Sequence, residues 1–143
     1  MDIGRFHVLL VHFPIALGLA AAVADLLWVV TRRMLFRQAA VYCLAGALIA
    51  APFVVTTGYL RLGELHPTPD VADVAEDHEH AGFATLGIVI GAAAARGAWR
   101  RTQNKWVLRL YGVLVAALVV SVSITGHLGG KIAFGLDYLQ GAF

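Results

Sequence analysis

Four apolar runs, each close to the length that crosses a bilayer, leave this chain very few ways to fold. They cover approximately residues 6–31, 38–60, 81–98 and 106–128. A helix needs about 20 such residues to cross the hydrocarbon layer. Backbone in hydrocarbon must satisfy its own hydrogen bonds, which leaves helices or closed barrels. Runs this long and continuous are helical. The sequence therefore predicts an all-α integral membrane protein, an up-down four-helix transmembrane bundle in which residues 1–143 form a single transmembrane domain. Only 14% of residues are charged and 59% are hydrophobic, where a soluble domain carries about a quarter charged residues. Little remains for an extramembrane domain, and nothing in the chain favours nucleic acid as a partner.

The first run carries "AAVAD", which resembles a signal-peptide cleavage site, but its apolar character continues through "LLWVV" to Arg32. We expect it to be retained as a span. The one cysteine, Cys43, excludes an intrachain disulfide, and the absence of Cys-x-x-Cys-His excludes covalent c-type haem attachment. No internal repeat, low-complexity tract or second domain is evident. Small residues at four-residue spacing, as at Gly87–Gly91 and Gly46–Ala50, suit close helix packing in lipid.

Charge sets the orientation. The connectors after the first and third runs hold Arg32, Arg33, Arg37, Arg96, Arg100, Arg101, Lys105 and Arg109, with Trp28, Trp99 and Trp106 at the same ends. The positive-inside rule puts these connectors in the cytoplasm. The opposite side is acidic, with Glu64, Asp70, Asp73, Glu76, Asp77 and Glu79. Both termini are expected there, giving a multi-pass protein of a bacterial inner membrane with periplasmic ends. Pro67 and Pro69 should hold the acidic connector open before "DVADVAEDHEH" starts the third helix. "GHLGG" should break the fourth helix, leaving "KIAFGLDYLQGAF" as a short C-terminal interfacial segment. Asp25, near the basic end, is expected to pair with Arg96 or Arg37.

All six histidines fall near the acidic end: His7, His12, His66, His78, His80 and His127. His7 and His12 are about 500° apart around a helix axis, and His78 and His80 about 200° apart, so neither pair converges on one ion. Pro14 disturbs the helix just beyond His12. A shared site must take single histidines from different helices, and His12, His78 and His127 form the natural set. Haem b suits such a site, since it needs imidazoles from two helices and close-packed small residues. We expect His12 and His78 as the ligands, because first and third helices face each other diagonally in a simple bundle. His127 is then an alternate ligand or hydrogen-bond partner, and His7 a further candidate. Gly58, Gly82 and Gly126 lie near the histidines, and Arg5, Arg61 and Lys131 could receive propionates. Copper or zinc on the same histidines is the alternative. A cofactor-free structural or assembly subunit, whose polar residues merely meet headgroups and water, is another.

The motifs also carry a resemblance. "HVLLVHFPIALGLAAAVADLLW", then "TGYL" followed by "HEHAGF", then "TGHLGGKIAFGLDYL" resemble, in order, the landmarks of the family known as domain of unknown function 2231. The third landmark includes His127, Gly129, Gly130, Gly135, Asp137, Tyr138 and Leu139. Val8 stands where members commonly have proline, and Ala133 or Phe134 where many have a further histidine. The resemblance implies a membrane domain often fused to c-type cytochrome or rubredoxin-like modules, and hence redox work. The resulting expectation is a small b-type cytochrome or haem-binding subunit of a respiratory or photosynthetic electron-transfer complex. It would exchange electrons with a quinol, a c-type cytochrome or both, as a subunit rather than a stand-alone enzyme.

Overall fold

The computed structural model describes residues 3–64 and 68–136, with the side chains of residues 3–5 and 64 left aside. These residues form α1 (Ile3–Leu10), α2 (His12–Thr31), α3 (Met34–Glu64), α4 (Pro69–Thr102) and α5 (Lys105–Phe134). Together α1 and α2 make the first span, so four segments are long and apolar enough to cross a membrane. The all-α membrane bundle expected from the apolar runs is what the chain forms. Its outer surface exposes Phe13, Leu26, Val30, Ile49, Phe53, Val113 and Val120, which suits hydrocarbon as the surrounding solvent.

Several helix limits differ from expectation. The second span extends to 34–64 and the third begins at Pro69, whose missing N–H is harmless at a helix start. Thr68 is extended before it, and Pro67 lies outside the described residues. "GHLGG" does not break the fourth helix: α5 runs through Gly126, Gly129 and Gly130 to Phe134. Each glycine costs about 1 kcal/mol in a helix interior, but packing of Gly129 against a neighbouring helix offsets this. The helix ends instead at Gly135, at φ +103°. Residues 137–143, which include Asp137, Tyr138 and Leu139, lie outside the described residues.

The bundle is two helical hairpins. The first span packs along α3, and α4 packs along α5; α3 meets α4, and α2 meets α5. The first and third spans therefore lie across the diagonal, as expected. Each hairpin turns through a two-residue connection opened by a left-handed residue, Arg32 (φ 59°) and Gln103 (φ 51°). Each donates its N–H to the carbonyl of a tryptophan four residues earlier, Trp28 or Trp99, at 2.8 Å.

These features recur at one spacing. Asp25 and Arg96 are 71 residues apart, and so are Trp28 and Trp99, Arg32 and Gln103, and the helix starts Met34 and Lys105. Burial follows: Ala21 and Ala92, Ala24 and Ala95, Ala40 and Tyr111, Ala47 and Leu118, Ala51 and Val122 are all core pairs. The chain is a tandem repeat of one hairpin, which corrects the sequence reading of no repeat. The repeat escaped notice because core positions changed volume: α3 supplies alanines where α5 supplies Tyr111, Leu118 and Val122. Two spans per repeat return the chain to the same side, so the halves are related by a pseudo-two-fold axis along the membrane normal.

At the basic end this axis carries a polar lock. Arg96, 3% exposed, donates from Nη1 to Asp25 Oδ1 at 2.7 Å and from Nη2 to the carbonyl of Arg37 at 3.2 Å. Tyr111 donates its hydroxyl to Asp25 Oδ2. The guanidinium also lies 4.8 Å from the Tyr111 ring and 5.6 Å from that of Trp99. Trp28 and Trp99 meet at 5.7 Å between centroids. Every span contributes to this cluster, and the expected pairing of Asp25 with Arg96 is present.

Candidate functional site

At the opposite end the axis passes between two histidines. His7 sits on α1, which packs against α3. The first span is interrupted at Val11, three residues before Pro14, whose ring nitrogen cannot donate to the Leu10 carbonyl. His7 Nδ1 lies 3.0 Å from the carbonyl oxygen of Val54 and 3.4 Å from Thr57 Oγ1. A carbonyl only accepts, so Nδ1 carries the proton and Nε2 keeps its lone pair. Gly58, one helical turn beyond Val54, makes this approach possible. A Cβ there would stand 2.8 Å from His7 Cε1.

His78 on α4 repeats the arrangement. Its Nδ1 lies 3.0 Å from the carbonyl oxygen of Thr125 on α5, and a Cβ on Gly129 would stand 3.1 Å from its Cε1. In both halves the histidine and its carbonyl partner are 47 residues apart, and the glycine follows the carbonyl by one turn. The two rings face each other with centroids 6.3 Å apart and planes at 83°. The contact is thus between equivalent residues of the two repeats, on the axis itself.

Around His78 the hydroxyls form a ladder. Thr85 Oγ1 is 2.6 Å from Ser121 Oγ and 3.1 Å from Thr125 Oγ1, joining α4 to α5. Thr85, Ser123 and Thr125 also donate back to helix carbonyls. These back-bonds stay within one helix, whereas the Thr85–Ser121 contact links two. This ladder fixes the height of the Thr125 carbonyl, and with it the His78 ring.

The other sequence candidates fall elsewhere. His12 is exposed on α2, and His80 on α4 is exposed as well. His127 is exposed on α5 and has interactions of its own. His7, rather than His12, meets His78, because the ring at position 7 lies on the side of the span that faces α3. Gly82 and Gly126 have nothing within 4 Å of an added Cβ, so only Gly58 among the three expected glycines supports a close approach. Arg61 and Lys131 are partly buried at the same end of the bundle. The Arg5 side chain and all of His66 lie outside the described residues. Sequence reasoning missed Gly129 as a packing residue and the carbonyls of Val54 and Thr125 as anchors. Comparing the chain with itself at the repeat spacing would have pointed to Gly129, since His, Trp, Thr and Gly are identical at 7/78, 28/99, 31/102 and 58/129, but not to the two carbonyls.

Among the described residues, no group of three or more His, Cys, Asp or Glu side chains converges as a metal cage. The histidine pair stands as two donors, not three. Residues 5–138 match the model of the family described as a predicted membrane protein, DUF2231. The chain belongs to this family. The match takes in both hairpins and both axial histidines, so the DUF2231 region is the duplicated unit as a whole. No curated relative and no solved structure matches the chain. Family membership supports the membrane assignment, and the site has to be read from its own chemistry.

Proposed function

We propose that the His7–His78 pair holds haem b, and that the protein is a small membrane electron-transfer subunit. The observation that carries this reading is the matched hydrogen bonding of the two rings. Each imidazole donates Nδ1–H to a helix carbonyl, which fixes its tautomer and leaves Nε2 to ligate. Ligand number favours haem over zinc, because haem takes two protein imidazoles and zinc needs three or four protein ligands. Copper is disfavoured on the same count, with no thioether or thiolate among the donors. Bound haem would supply reversible one-electron exchange at the iron.

The chain's own residues would do the rest. Val54 and Thr125 hold the rings in place, and Gly58 and Gly129 give them room. Arg61 and Lys131, at the same end, would be the cations to receive propionates. By the positive-inside rule the arginine-rich end faces the cytoplasm, which puts the pair near the outer side of a bacterial inner membrane. From there electrons could pass between a quinol and a c-type cytochrome or another membrane partner on that side. One pair near one face does not relay electrons across the whole bilayer.

The test is an absorption spectrum of protein purified from haem-sufficient cells, oxidised and dithionite-reduced, with elemental analysis of the same sample. A Soret band and sharp reduced α-band with about one iron per chain are expected. Stoichiometric copper or zinc without a Soret band would replace haem with a non-haem metal. Absence of both chromophore and metal would leave a structural subunit.

A further inference from the structure

A half-open surface depression lies at the arginine-rich end. There a cavity of about 310 Å³ opens beside α3 and α4, lined by Met34, Arg37, Gln38, Val41, Tyr42 and Arg100. Two cations line it, and no carboxylate does. Asp25 is the only acidic residue between Asp2 and Glu64, and none lies between Glu79 and Asp137. Both oxygens of Asp25 are already taken by Arg96 and Tyr111. Among the described residues, no carboxylate lines the pocket to supply a counter-charge.

Arg37 is also held in place. Its guanidinium lies 4.9 Å from the Trp99 ring and 5.7 Å from that of Trp28, while its carbonyl accepts from Arg96. Repeat architecture does not account for the two arginines. The positions equivalent to Arg37 and Arg100 in the other halves are Leu108 and Val29, while Lys105 and Arg109 stand at those equivalent to Met34 and Gln38, so each side of the axis carries its own arrangement of two cations. It sits level with the tryptophans, at the depth where lipid headgroups lie.

We propose that Arg37 and Arg100 bind the phosphate of an anionic phospholipid headgroup in this pocket. Guanidinium groups match phosphate oxygens in geometry as well as charge, and basic pockets at the cytoplasmic ends of transmembrane helices hold such heads. Gln38 and Tyr42 add polar contacts for the head. A free phosphate shares this chemistry, but a site beside exposed Leu35 and Tyr42 on a lipid-facing surface meets lipid first.

The experiment titrates the delipidated full chain in detergent with phosphatidylglycerol and, separately, phosphatidylcholine, reading bound lipid by native mass spectrometry. Inorganic phosphate is the competitor. Wild type should retain phosphatidylglycerol over phosphatidylcholine, and R37Q/R100Q should weaken the former about 25-fold, roughly five-fold per arginine. R101Q, which removes a charge from the same end outside the pocket, should bind as wild type does. If the double variant does not fold, R100Q alone must still lose about five-fold. Equal losses in R101Q and R100Q would overturn the site in favour of diffuse surface charge. So would unchanged binding in R37Q/R100Q, or displacement of the lipid by equimolar phosphate.

Discussion

The two ends of the pseudo-two-fold axis are built alike and finished differently. At the basic end, equivalent positions hold opposite charges, Asp25 and Arg96, which pair with each other and with Tyr111 and leave only Arg96 Nε, among the described buried side-chain atoms, without a partner. At the acidic end, equivalent positions hold the same residue, His7 and His78, each satisfied at Nδ1 and each keeping an Nε2 lone pair. A complementary pair closes on itself, whereas an identical pair of acceptors invites a third party. The first arrangement locks the hairpins together, and the second leaves chemistry on offer between them.

The largest effect expected from breaking this contrast is at the lock. D25A or R96A leaves a buried charge unpaired and should cost about 3–5 kcal/mol. Thermal unfolding of detergent-solubilised protein would register this as a large fall in midpoint. D25L/R96M/Y111F, which leaves no buried hydroxyl without its acceptor, should recover most of the loss, since apolar residues often replace a buried pair at little cost. Haem content of the triple variant should stay near that of wild type, which would separate lock from site.

Glycine substitutions give the next effect and a graded one. G58A drives a Cβ to 2.8 Å from the His7 ring and should cost about 1–3 kcal/mol through overpacking, with loss of the His7–Val54 bond and of bound haem. G129A, at 3.1 Å from the His78 ring, should do the same more mildly. G82A and G126A meet nothing within 4 Å and should be neutral or stabilise the protein by up to about 1 kcal/mol through helix propensity. Chemical denaturation with a spectral readout on the four variants would check the order.

The smallest effect is at Tyr111. Y111F removes one hydrogen bond to Asp25 but leaves its pairing with Arg96. A loss of about 1–2 kcal/mol is expected, visible as a modest drop in thermal midpoint with the absorption spectrum unchanged. A spectral change in Y111F would mean that the two ends communicate, contrary to their separation along the axis.

The spans, their order and the pairing of Asp25 were legible because length, hydropathy and charge act through single residues. Helix continuity through "GHLGG" was not legible, because the interhelical contact that offsets glycine's cost at Gly129 is tertiary. The choice of His7 over His12 was hidden for a related reason. Both lie on one apolar stretch, and only the notch at Gly58 on another helix selects between them. The repeat was partly legible in identical residues such as His7/His78, Trp28/Trp99 and Gly58/Gly129, but several core positions kept burial while changing size, as at Ala47 and Leu118. Composition therefore carried no periodic signal.

The central claim is that the axial histidines, and not the exposed ones, hold the cofactor. The most direct measurement compares Soret absorbance per chain in H7A, H78A and H12A, purified side by side with wild type. Loss of the band in H7A and H78A with full retention in H12A is the predicted result. Retention in H7A, or loss confined to H12A, would contradict the assignment of the pair on the axis.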